Sequence, residues 1–206
     1  MYLDEIYLNN KLPGYFFSGD FHALAEIVEK LPDSGTVIHI GTFLGRSAKF
    51  WIELFRSHNK KYKIICLDTY ENDAEHVYDL HLTSNFAGDI STIKSFLVRE
   101  KTNLEMVRYF LKDYEEIECK VYDIFLNKPE DVVTSNIVCV FDDAVHTAQG
   151  VKQCFDSWFD KIEVGGIYCG HDYNFVKDTI EDISKENKLN LVLPRKDSSM
   201  YYFIKV

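Results

Sequence analysis

Three groups of residues in this chain have the types and spacing that chemistry needs. The first is Gly41-Thr42-Phe43-Leu44-Gly45-Arg46-Ser47, a turn with two glycines that follows an apolar run and opens a helix. Glycines let the backbone pass close to a ligand, and a helix start offers N–H donors without internal partners. The second is Asp68, at the end of the next apolar run, where a carboxylate can accept both hydroxyls of a ribose. Together these two features read as a site for a nucleoside cofactor; either alone is a weak sign. The third group is Asp142-Asp143-Ala144-Val145-His146 with His171-Asp172. Paired carboxylates suit a hard divalent cation such as Mg²⁺ or Mn²⁺, which keeps positions open for water or substrate oxygens. An unperturbed imidazole titrates near neutrality and can take a proton at physiological pH. Plainer alternatives exist: a tight turn capped by Ser47, a helix cap at Asp143 or Asp142, and packing for His146.

Strand ends must bring these groups together. A helix is expected over about 20–31, with Leu24, Ile27, Val28 and Leu31 on one face, before Pro32-Asp33-Ser34-Gly35 breaks it. Strands are expected at 37–40, 64–67, 117–122, 137–141, 167–169, 189–193 and 200–206. Between them lie helices marked by Trp51, Leu54 and Phe55, by Cys154, Phe155 and Trp158, and by Val176, Ile180 and Ile183. Both tryptophans sit on apolar faces and read as core. Strands alternating with helices imply an α/β, doubly wound, mostly parallel sheet covered on both faces. The connection 194–199 is too short for a helical crossover, so the last two strands form an antiparallel C-terminal hairpin. Seven strands result, with ligands expected beyond their carboxyl ends.

The length, 206 residues, fits one domain. It carries an N-terminal helical extension over about 1–35 and a lid-like insertion over about 70–115, which is longer than a crossover requires. A hydrophobic content of 46% supplies a sizeable core and excludes wholesale disorder. The formal charge of −10 argues against nucleic acid or an anionic membrane as partner. No apolar stretch has the length of a membrane span, and the first residues lack a secretory signal, so a cytoplasmic location is expected. The five cysteines have no paired metal-ligand spacing and read as reduced core residues. A homo-oligomer is compatible with all of this.

The identity of the cofactor turns on the glycine turn. A dinucleotide site usually carries G-x-G-x-x-G, whose second glycine makes room for a pyrophosphate. Here Thr42-Phe43 fill that place. A bulky Phe43 suits a cofactor without pyrophosphate, so S-adenosylmethionine fits better than NAD.

The run from Val37 to Ser47 resembles the first motif of class I S-adenosylmethionine-dependent methyltransferases, and Leu67-Asp68-Thr69-Tyr70 is similar to their segment after the second strand. Phe141-Asp142-Asp143-Ala144-Val145-His146, Gly165-Gly166 and Gly170-His171-Asp172-Tyr173 narrow the match. They resemble the metal-dependent small-molecule and sugar O-methyltransferases, more distantly related to catechol O-methyltransferase. The resemblance runs from about Gly14 to the C-terminus.

It implies a cofactor site over Gly41, Thr42, Phe43, Gly45 and Ser47, with Asp68 on the ribose. Thr69, Tyr70, Asp123 and Asp143 complete that site, Tyr70 packing on the adenine or making a structural contact and Asp123 near the adenine amino group. It further implies metal ligands at Asp143, His171 and Asp172 and a general base at His146. The acceptor would be a hydroxyl of a small molecule, plausibly a sugar or polyol, read by residues 72–103. Two positions depart from the family: His39 and Val145 stand where acidic residues are usual. The competing expectations are a nicotinamide-dependent oxidoreductase and a noncatalytic binding protein on the same fold.

Overall fold

A computed structural model describes residues 3–71, 79, 86–89, 91–97, 102–132 and 135–206. Helices α1 (Leu3–Asn9) and α2 (Ser18–Lys30) lead into β1 (Ser34–Ile40), α3 (Arg46–Ser57) and β2 (Lys61–Asp68). Two short helices, α4 (Ser91–Leu97) and α5 (Asn103–Phe110), precede β3 (Ile117–Val121). The chain continues through β4 (Ile137–Asp142), α6 (Ala148–Trp158), β5 (Ile167–Gly170), α7 (Tyr173–Glu186) and β6 (Tyr201–Ile204). The expected insertion therefore includes α4 and α5, while much of 72–101 lies outside the described residues.

The sheet order is β3-β2-β1-β4-β5-β6. The first five strands are parallel, and β6 runs antiparallel to β5. Strand order reverses at β1, which pairs with β2 on one side and β4 on the other. That reversal opens a crevice beyond the carboxyl ends of β1 and β4. Among the described residues the sheet has six strands rather than seven. Residues 189–193 contribute a single antiparallel bridge, Val192 to Tyr202. The reason is local: the Leu189 N–H donates to Ser184 O in the turn ending α7, and Pro194 has no N–H to offer.

Helices cover both faces. Phe21, Phe50, Trp51 and Phe55 of α2 and α3 are fully buried on one side; Trp158, Tyr168 and Phe203 are buried on the other. Burying side chains of this size stabilises the fold by roughly 1.5–3 kcal/mol each. Cys66, Cys139, Cys154 and Cys169 are free and buried, and Cys119 is partly buried. No helix among the described residues is long and apolar enough to cross a membrane.

Candidate active site

Gly41 follows β1 with φ +86°, a conformation in which a side chain is strained. Space also forbids one, because a Cβ would lie 2.1 Å from the Asp143 carbonyl oxygen. The ends of β1 and β4 thus close up at a residue without a side chain. Beyond it, Asp68 fastens the turn. One of its oxygens accepts the Phe43 N–H at 2.8 Å and the other accepts the Tyr70 N–H at 2.9 Å. A carboxylate has about four acceptor positions, so about two remain for a ligand. Gly45, φ +84°, forms the N-cap of α3.

Two cavities flank this turn. A cleft of about 240 Å³ is lined by Asp68, Thr69, Asp123, Ile124 and Phe125, among others. A larger cavity of about 840 Å³ is lined by Thr42, Phe43, Asp143, His146, His171 and Asp172, with Tyr15, Phe17 and Phe175. They share Gly41 and Ala144. Tyr70 is buried outside both linings and contributes its N–H to Asp68. Phe125, 48% exposed, supplies the aromatic wall instead. Asp123 sits in that cleft with one oxygen accepting the Phe125 N–H at 2.7 Å.

Ser47 reaches the larger cavity, but its hydroxyl lies 3.2 Å from His39 Nε2. His39 is fully buried, stacks on Phe141 with ring centres 4.9 Å apart, and has Nδ1 3.8 Å from Cys66 Sγ. Burial pulls its pKa down to about 4, against the opposing pull of Asp143. The ring is neutral at pH 7. The unfolded chain binds this proton near pH 6.5, so stability falls as pH drops from there towards 4, by roughly 3 kcal/mol over the whole window. Urea unfolding at pH 7 and pH 5 should show a loss in wild type larger than in His39→Gln by roughly 2 kcal/mol. Equal losses would mean that His39 is not the neutral group described.

Asp142 ends β4 and Asp143 follows it, but the two point apart. Asp142 is buried, accepts the Tyr168 hydroxyl at 2.9 Å, and is pushed up to about 6 by burial. Asp143 lines the larger cavity. There His171 Nδ1 lies 3.3 Å from Asp143 Oδ1 and 3.2 Å from Asp172 Oδ2. Its other nitrogen, Nε2, is 3.3 Å from Asp20 Oδ2, an ion-pair contact without a well-aligned hydrogen bond. Asp20 is a site residue that sequence spacing did not reveal. It is held by Ser198 Oγ at 2.9 Å and the Ser199 N–H at 3.1 Å, from the far end of the chain.

His146 Nε2 lies 2.9 Å from Asp172 Oδ2 and 3.9 Å from Asp143 Oδ1, and its ring faces Phe175. Asp143 and Asp172 raise His146 to about 10. Burial opposes the charge on His171, yet Asp143, Asp172 and Asp20 together raise it to about 12. Burial likewise opposes ionisation of Asp143 and Asp172, but the two imidazoles hold both below the usual carboxylate range. Ligand atoms of Asp143, His146 and Asp172 lie within 4.8 Å of one another, close enough to share a cation. His171, expected as a ligand, has both nitrogens facing carboxylates and orients that cluster from behind. The arrangement can hold a hard cation and move a proton beside a cavity.

Residues 38–173 match the sequence model of a family described as "Methyltransferase domain". No curated protein matches the chain. Solved structures share its fold at low identity. An O-methyltransferase from Bacillus cereus in complex with SAH superposes with TM-score 0.60 at 12% identity, covering 98% of this chain and 90% of that one. An SAH-bound methyltransferase of Podospora anserina gives 0.59 at 11%, covering 99% and 87%. An rRNA methylase from Streptococcus thermophilus gives 0.57 at 14%, covering 94% and 98%.

Proposed function

Because the chain belongs to the methyltransferase-domain family, we propose that it is a class I S-adenosylmethionine-dependent enzyme that methylates a hydroxyl oxygen of a small molecule with the help of a divalent cation. The observation that carries this reading is the meeting of Asp143, His146 and Asp172 in the cavity that Gly41 joins to the Asp68 cleft. Asp68 has acceptor positions left for a ribose, and Phe125 and Ile124 offer an apolar wall for a purine. The methionine end then passes Gly41, where no side chain blocks it, towards Asp143. Expected contacts of Gly45 and Tyr70 with the cofactor become indirect in this reading, through the shape of the turn.

S-Adenosylmethionine supplies an activated methyl group for in-line displacement. A divalent cation, when bound, holds the acceptor oxygen and lowers its pKa. Asp143 and Asp172 have the oxygen chemistry such an ion prefers, whereas His146 is the softer donor. Asp143 and Asp172 would hold such an ion, and His146 Nε2, 2.9 Å from Asp172, would take the proton of the acceptor hydroxyl. Tyr15, Phe17 and Phe175 surround the place an acceptor ring would occupy, which suits a sugar or another ring bearing adjacent oxygens. A net charge of −10 disfavours RNA as the acceptor.

Calorimetry tests the cofactor half. Asp68→Ala should weaken S-adenosylhomocysteine binding by roughly 1.5–3 kcal/mol, through loss of a charge-assisted acceptor. Tighter binding of NAD than of S-adenosylmethionine by the wild type would overturn the assignment. Mass spectrometry of hydroxylated sugars, polyols and phenols incubated with enzyme and cofactor then identifies the acceptor class.

A further inference from the structure

Arg46 opens α3 on the wall of the larger cavity and is only 4% exposed. Its Nε donates to Phe16 O at 2.9 Å, and one terminal nitrogen donates to Asn10 O at 2.8 Å and Leu12 O at 2.7 Å. Asn10 Nδ2 donates back to Arg46 O at 3.0 Å. The rings of Tyr7 and Phe50 lie 5.6 and 5.0 Å from the guanidinium carbon. These partners are carbonyls and neutral rings, so none cancels the charge. A buried cation ordinarily sits against a carboxylate, because leaving it uncompensated in a low-dielectric setting is costly.

The charges around it are already matched elsewhere. Asp143 and Asp172 face His146 and His171, and Asp20 faces His171. His39, bonded to the neighbouring Ser47, is neutral at pH 7. The cavity therefore has a carboxylate-rich end and, at Arg46, a positive end without a counterion among the described residues. The amino-acid portion of S-adenosylmethionine is itself polar, with a carboxylate at its tip and a sulfonium where the methyl leaves.

We propose that Arg46 is the group that orients this cofactor, its charge facing the methionine carboxylate while its donors hold residues 10–16 over that end. The proposal rests on the cofactor reading above. With the carboxylate drawn to Arg46, the sulfonium is left to point along the cavity towards Asp143 and Asp172. The same side chain joins the N-terminal segment to the glycine turn. That segment is also tied to residues 86–89, through Gly14 with Ala87 and through the Asp89 N–H to Lys11 O.

Calorimetry with two probes tests this without any turnover: S-adenosylhomocysteine and its analogue lacking the carboxylate. Wild type should prefer the former by roughly tenfold or more, the size of one charge-assisted contact. Arg46→Gln, which retains donors but not charge, should erase that preference by weakening only S-adenosylhomocysteine. Arg46→Lys should keep most of it. Equal weakening of both probes in Arg46→Gln would reduce Arg46 to a structural clasp and overturn the proposal. Should that variant not fold, the wild-type comparison decides, since equal affinity for the two probes overturns the proposal as well. Wild type that bound neither probe would overturn the cofactor reading first, and would be recognised because the failure is independent of residue 46.

Discussion

His146→Ala lowers methyl transfer by roughly 10²–10⁴-fold, the range of a lost general base, while cofactor affinity stays near wild type and Tm falls at neutral pH through loss of the pairing with Asp172 and Asp143. The side chain is 48% exposed, and the contacts described for it are Asp172, Asp143 and the Phe175 ring rather than the core. Its removal therefore takes little packing with it. The two carboxylates keep the imidazole protonated near neutrality in the protein alone, raised to about 10. A divalent cation held by those carboxylates would weaken their hold on that proton, so the comparison is made with metal present. The measurement is kcat at saturating acceptor, below the melting range of the variant, with cofactor affinity as the control. Near-normal turnover would move the base elsewhere. His171 would be the next candidate, although both its nitrogens already face carboxylates.

Exhaustive chelation should lower turnover by roughly 10³-fold, the scale of several kcal/mol of electrophilic assistance, and added Mg²⁺ or Mn²⁺ should restore it. Asp143→Asn should reproduce the loss in the presence of excess metal, because the amide keeps the shape of the side chain but not its charge. Titration calorimetry with Mg²⁺ would then show weakened binding in the variant. Full activity after chelation, or in Asp143→Asn, would mean that the acidic cluster serves to place His146 and His171 and holds no ion.

Much of the fold was legible because periodicity reports burial. The helix ending at Lys30, the parallel strands and the terminal antiparallel strand follow from one-face spacing and short apolar runs. Residues 189–193 misled for the same reason: their apolar pattern fits a strand, but Leu189 is committed to the helix end and Pro194 stops the ladder. Gly41, Asp68, Asp143 and Asp172 were legible because each lies at or within two residues of a strand end, and strand ends converge in this topology. Asp20 was not, since its partners His171, Ser198 and Ser199 lie more than a hundred residues away and no spacing encodes that meeting. Arg46 was hidden in another way. A basic residue in a first helical turn reads as solvated until the segment wrapped over it is seen.

Phe43, Tyr70 and Asp172 share a feature with a wider consequence. All three adopt left-handed backbone, at φ +50°, +52° and +56°, within three residues of the ends of β1, β2 and β5. Such conformations cost on the order of 1–3 kcal/mol each in residues other than glycine. Glycine would relax each backbone, yet it would also delete the packed rings of Phe43 and Tyr70 or the Asp172 carboxylate that faces two imidazoles, losses at least as large. The strain at the rim of this sheet is thus held in place by the packing and pairing of the same side chains, and no single replacement exchanges it for durability.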